Sequence, residues 1–277
     1  GGLGAEPEAA PADEPDRSPA WTEGFDVTGF WDIRGGVRTQ DDSHEKCSPL
    51  GETRLQLDVQ KSVNSVVFKV VADFLYDAIA ADCQTDLETG TGWVDLRQAN
   101  VSFTPVEFMD VKVGRQILTW GTGDLIFLND LFGKDWQSFF IGRDVEYLKA
   151  PSDAVKLAAF SDLANLDVVY VPSFDADRHL TGERISFWND SLGRRSGRDA
   201  LVRTDRPGTW FDHDEFHARL WQTVGGYELA GYGYWGYWKS PAGQDAVTGK
   251  ATFPRLRVYG ASVRGPALAG IGNLEVA

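Results

Sequence analysis

The chain is poor in the residues that build most catalytic and metal centres: two cysteines, four histidines and one methionine among 277 residues. Two cysteines exclude a disulfide-dense scaffold. No run of about eighteen apolar residues occurs, which excludes a transmembrane helix but leaves a β-barrel open. Basic residues are in deficit, 27 against 41 acidic, for a net charge of −14. A nucleic-acid partner, which needs a basic surface, is therefore not expected. No glycine-rich phosphate loop follows a strand and opens a helix. His44, His179, His213 and His217 do not assemble a Ser-His-Asp arrangement. The run His213-Asp214-Glu215-Phe216-His217 lacks the order His-Glu-x-x-His. On a strand its His213, Glu215 and His217 share one face and could hold a metal, but such residues more often line a wet lumen or rim. Asp175 and Asp177 read as a solvated loop rather than a glycosidase pair. No enzyme activity, cofactor or metal is predicted.

What is present is a rhythm. In Leu55-Gln56-Leu57-Asp58-Val59-Gln60 every second side chain is apolar. After a tight turn at Val63-Asn64-Ser65, Val66, Phe68, Val70, Ala72 and Phe74 alternate with Val67, Lys69, Val71 and Asp73. Strand side chains alternate between faces, so this pattern predicts a sheet with one apolar and one wetter face. Aromatics are abundant, 10 Trp, 8 Tyr and 16 Phe, as barrel girdles or a sugar-binding sandwich would require.

The same rhythm predicts a first strand from Phe25 to Gln40, then hairpins over 54–76, 93–118, 154–171 and 215–238, and a last one opening at Leu256. Short turns follow even-numbered strands and long polar connections follow odd-numbered ones. Outer-membrane barrels sort their loops in this way, and a soluble sandwich has no reason to. Arg97-Gln98 and Gly114-Arg115 break the alternation, as bulges would. Tyr232 to Trp238 is aromatic on both faces, so its register stays open. The predicted fold is all-β, an antiparallel up-and-down transmembrane β-barrel in which about ten or eleven strands are present. Barrels need an even, closed set, so the expectation is an incomplete N-terminal portion over 21–277. Residues 1–20, rich in Ala, Pro, Glu and Asp, read as a disordered leader. Cys47 and Cys83 fall in adjacent long loops at one end and could form a disulfide in an oxidising compartment; two unpaired thiols is the alternative.

The most distinctive segment runs from Val113 to Leu157. A strand ending Gly114-Arg115-Gln116, then Trp120-Gly121 and an aromatic, Asp-rich loop, resembles the alginate-export-type and related uncharacterised outer-membrane porins of Gram-negative bacteria. That resemblance implies a monomeric channel in the cell outer membrane, set among lipid and lipopolysaccharide and passing small hydrophilic solutes. It does not identify the solute. The loop from Thr119 to Pro151 is too long and too apolar to stand in water. Two arrangements are open: an inward constriction carrying Trp120, Asp124, Asp130, Trp136 and Arg143, with its Asp and Arg side chains facing solvent, or an external cap.

On the faces assigned inward, Arg34, Arg38, Arg54, Lys69, Arg97, Lys112, Lys156, Arg219, Arg255 and Arg257 outnumber Asp32, Asp58, Asp73, Asp95, Asp167 and Glu215. With Arg115, these are the candidate lumen residues. Basic rings favour anions in a pore, although the same groups could brace the interior as ion pairs. Arg194, Arg195 and Arg198 form a basic loop cluster that could meet lipopolysaccharide, or simply be an ordinary loop. The expected function is passive diffusion of small hydrophilic, possibly anionic, solutes. The rivals are a secreted soluble β-sandwich that binds carbohydrate and a barrel-embedded hydrolase.

Overall fold

The computed structural model describes residues 24–79, 84–123, 125–190, 192–268 and 270–277. The expected leader, Cys83 and Asp124 lie outside the described residues, and Cys47 is exposed. The protein is built on eleven long strands: β1 (Asp26–Gly36), β2 (Leu50–Val63), β3 (Val66–Asp77), β4 (Val94–Val106), β5 (Met109–Ile117), β6 (Pro151–Ala159), β7 (Asn165–Val171), β8 (Glu215–Val224), β9 (Tyr227–Tyr237), β10 (Arg255–Ala267) and β11 (Gly270–Val276). They form one sheet in which each pairs antiparallel with its sequence neighbours and no connection crosses over. β1 and β11 are its edges; among the described residues they do not pair with each other, so no closed barrel is formed.

Connection lengths sort as the rhythm predicts. The turns 64–65, 107–108, 160–164, 225–226 and 268–269 lie at one end, and the long connections 37–49, 78–93, 118–150, 172–214 and 238–254 at the other. Gly225 and Gly226 both adopt positive φ, 59° and 85°, which a two-residue hairpin of primed type needs and L side chains resist. Short two- and three-stranded patches occur only within the long connections.

The register separates two chemically different faces. Between β2 and β3, Gln56 pairs with Asp73 and Gln60 with Lys69 on one face; Leu55 pairs with Phe74 and Val59 with Val70 on the other. The polar face is the buried one: Arg54 is 2%, Asp73 0%, Asp95 2% and Glu215 1% exposed. The apolar face is bare, with Trp31 at 71%, Ile33 at 67%, Val70 at 46% and Leu220 at 55%. Ordinary water-facing sheets show the opposite.

The structure decides three details of phase. The first strand ends at Gly36, because Arg38 turns to bond the Cys47 carbonyl through its own N–H. The expected slip occurs at Arg97, which is skipped between Gln98 and Leu96, whereas the one expected at Gly114-Arg115 does not, the register running unbroken through both. The ambiguous β9 resolves with Tyr232 and Tyr234 inward and Trp235 outward, where Trp235 meets Phe216 and Tyr259.

Candidate functional site

The polar face is covered by the 118–150 connection, which folds inward and does not cap the molecule from outside. Its apolar residues supply the reason. Phe132 is 1% exposed and stacks on His217 of β8 at 4.3 Å between ring centres. Trp120 meets Phe132 edge-on at 5.0 Å and lies beside Tyr232, in a cluster with Leu118, Val169, Val171 and Ala230. Burying such a ring stabilises by roughly 1.5–3 kcal/mol, which an external loop would forgo. Gly260 marks the closest approach to the sheet: a Cβ there would collide with Asn129 Oδ1.

Polar anchors fix the two flanks. On one side, Thr122 N donates to Glu275 Oε1 of β11 at 2.8 Å, and Asn273 Nδ2 donates to Thr122 O at 2.8 Å. On the other, Arg143 grips Glu52 of β2 with two bonds, Nη2 to Oε2 at 2.6 Å and Nε to Oε1 at 3.0 Å. Tyr147 lies between the guanidinium groups of Arg54 and Arg97, 4.4 and 4.9 Å from its ring centre, and its hydroxyl accepts from Gln56 at 2.9 Å. Burial pushes the Tyr147 hydroxyl up to about 12, so it stays protonated.

Within the connection, Asp135 caps the short helix α1 (Trp136–Phe140) by accepting from Ser138 N at 2.8 Å. Lys134 Nζ is enclosed with Asp130 Oδ1 at 3.0 Å and Phe132 O at 2.8 Å. Burial pulls its pKa down, against the opposing pull of Asp130. The 172–214 connection locks this arrangement from above. Asp177 Oδ1 accepts from Lys134 N at 2.8 Å, and Asp177 Oδ2 accepts from Trp136 Nε1 at 3.1 Å. Lys239 Nζ, in the 238–254 connection, holds both oxygens of Glu215 at 2.7 Å.

The predicted lumen residues therefore separate into groups. Arg34, Arg54, Asp58, Lys69, Asp73, Arg97, Lys112 and Arg219 lie on the covered face, and most are already paired. Arg54 pairs with Asp73, Lys69 with Asp58 at 2.9 Å, and Arg219 with Glu228 at 2.7 Å. Arg115 is buried against Asp153, with Glu88 and the Leu87 carbonyl from the 78–93 connection. Arg255 and Arg257 are corrections. Both are exposed and lie on the apolar side, alternating with Leu256 and Val258, because Tyr232 and Ser262 share the inner face through their 2.9 Å hydroxyl contact. Asp130 and Asp135 do not face solvent; they are 5% and 3% exposed and neutralise Lys134 and Arg178. Asp175 and Asp177 are likewise buried, not solvated. Arg194 and Arg198 of the basic cluster pair with Asp199 and Glu45.

Sequence reasoning missed Arg178, Lys134 and Lys239, which lie in connections where no period-two phase marks the inward side. Among the described residues, no three His, Cys, Asp or Glu side chains converge as a metal site. What the covered face retains is room: an open cleft of about 700 Å³, lined by Asp32, Arg34, Gln56, Asp58, Arg97 and Glu146. Such a cleft, between charged walls and an inserted loop, is large enough to hold hydrated polar solutes. No family model matches the chain, and no curated protein matches it.

Proposed function

We propose that this chain forms the wall of an outer-membrane β-barrel of porin type, with the 118–150 connection folded into a polar lumen that passes small hydrophilic solutes by diffusion. The observation that carries the reading is the inverted polarity of the sheet. Across eleven strands most of the charges sit on the covered face, while the bare face is dominated by Val, Leu, Ile and aromatic side chains. Leaving each large apolar side chain in water forgoes roughly 1.5–3 kcal/mol, a loss that a lipid environment removes. Aromatic pairs at the loop end of that face, Tyr76 with Trp93 and Trp235 with Tyr259, suit an interfacial girdle. Arg255 and Arg257 lie at the same end, at headgroup level in this reading. A carbohydrate-binding sandwich would need a second sheet over the apolar face, and among the described residues the remaining sheets are short patches of two and three strands.

The test is the behaviour of the full-length protein. It should need detergent to remain monodisperse, migrate differently on gels before and after boiling, and conduct ions in planar bilayers. Monodispersity in plain buffer with no conductance would defeat the reading.

A further inference from the structure

At the short-turn end of the covered face, β5 and β6 place two lysines opposite each other. Lys112 and Lys156 are direct cross-strand partners, both on the inner face. Like charges in that relation destabilise a sheet. Elsewhere on this face Arg34, Arg54, Lys69, Arg97 and Arg219 each have an acidic partner. Here the nearby carboxylates are already engaged. Asp58 holds Lys69 at 2.9 Å, and Asp110 accepts from Thr104 Oγ1 at 2.6 Å. Asp167 accepts from Trp221 Nε1 at 3.1 Å and faces Arg219 at 3.8 Å. Among the described residues, Lys112 and Lys156 have no counter-ion.

The two ammonium groups border an open cavity of about 560 Å³, which Ser102, Thr104, Asp167 and Trp221 also line. We infer that Lys112 and Lys156 form a binding station for a small dianionic solute, a hydrogen phosphate or a short dicarboxylate, at the turn end of the lumen. A dianion bridging both ammoniums would turn the cross-strand repulsion into two charge-assisted hydrogen bonds, in a cavity that Ser102, the cross-strand partner of Lys112 on β4, also lines. The cavity far exceeds such an anion, so it would bind partly hydrated and exchange readily, as a station on a diffusion path must. This inference rests on the porin reading for its place in transport, but not for the binding itself.

The experiment is calorimetric titration of hydrogen phosphate, and separately of succinate, into the purified full-length protein at low ionic strength. One-site binding of either anion is expected, weakening with added salt. Lys112→Gln and Lys156→Gln should each weaken it about tenfold, the loss of one charge-assisted bond. Lys112→Arg, which keeps the charge, should retain it, and Lys250→Gln, on an exposed turn, should leave it unchanged. Binding of phosphate alone, succinate alone or both identifies the anion shape preferred. No binding to the wild type, or equal binding by all variants, overturns the station. Bilayer conductance without anion binding would leave the channel reading standing; anion binding without conductance would do the reverse.

Discussion

Arg178 and Asp95 are joined by two nearly parallel bonds, Nη2 to Oδ1 at 2.9 Å and Nη1 to Oδ2 at 3.0 Å, although 83 residues separate them in sequence. The pair ties the 172–214 connection to the inner face of β4, and Asp135 of the inserted connection closes the triad at 3.3 Å. Burial draws the Arg178 pKa down, but Asp95 and Asp135 outweigh it and raise it, so the guanidinium stays charged. Arg178→Ala strands two buried carboxylates and should cost about 3–5 kcal/mol. The readout is the denaturant midpoint in detergent; a loss below about 1 kcal/mol, the scale of an exposed pair, would show that the triad does not hold the two connections together.

Phe132 is the inserted connection's deepest apolar anchor. Phe132→Ala should destabilise by about 3–5 kcal/mol, or by less if the connection collapses into the space. With the anchor gone the connection should leave the lumen part of the time. Single-channel conductance would rise and fluctuate, and unchanged conductance would show that this segment does not narrow the path.

Val70 lies mid-strand on the bare face, paired with Val59 and Ala99. Val70→Arg should oppose membrane insertion by about 2–4 kcal/mol, whereas Gln98→Arg, on the other side, should be tolerated. Folding yield into lipid vesicles measures the difference. Equal yields would contradict the assignment of the faces.

Asp175 gives a pH dependence. It is 8% exposed and one carboxylate oxygen has no partner. Burial first, then the neighbouring Glu215 and Glu88, push its carboxyl up to about 7 against the opposing pull of Lys239 and Arg206. Its ordinary value is 3.8, so between about 4 and 7 the folded protein binds the proton more tightly than the unfolded chain. The stabilisation from this group is complete below about 4 and is lost as pH rises through about 7. Melting profiles from pH 5 to 8 should therefore fall less steeply for Asp175→Asn than for the wild type. Identical slopes would show that Asp175 is ionised throughout.

Much of the fold was legible in the chain, for a local reason. Side-chain direction in a strand repeats every two residues, so Leu55, Leu57 and Val59 against Gln56 and Asp58 declare two faces without any partner strand. A hairpin turn is likewise specified by neighbours such as Gly225-Gly226. Where the alternation is interrupted the reading faltered. Arg97 marks a true register slip, while Gly114 with positive φ keeps its pairing; composition alone does not distinguish these. Arg255 and Arg257 are expected on the inward strand face, and the register on β9 puts them on the other side.

The sequence by itself determined the strand sequence, the sorting of short and long connections, and the separation of a charged from an apolar face, because all three follow from period-two geometry and turn chemistry. Only the tertiary structure decided that residues 118–150 fold inward, that Asp130 pairs with Lys134 and Asp135 with Arg178, and that Lys112 and Lys156 are left unpaired. Those outcomes depend on which distant groups meet once the connections return over the sheet. In a low-dielectric interior a charge takes the position where a partner is already fixed, and no local pattern records where that is.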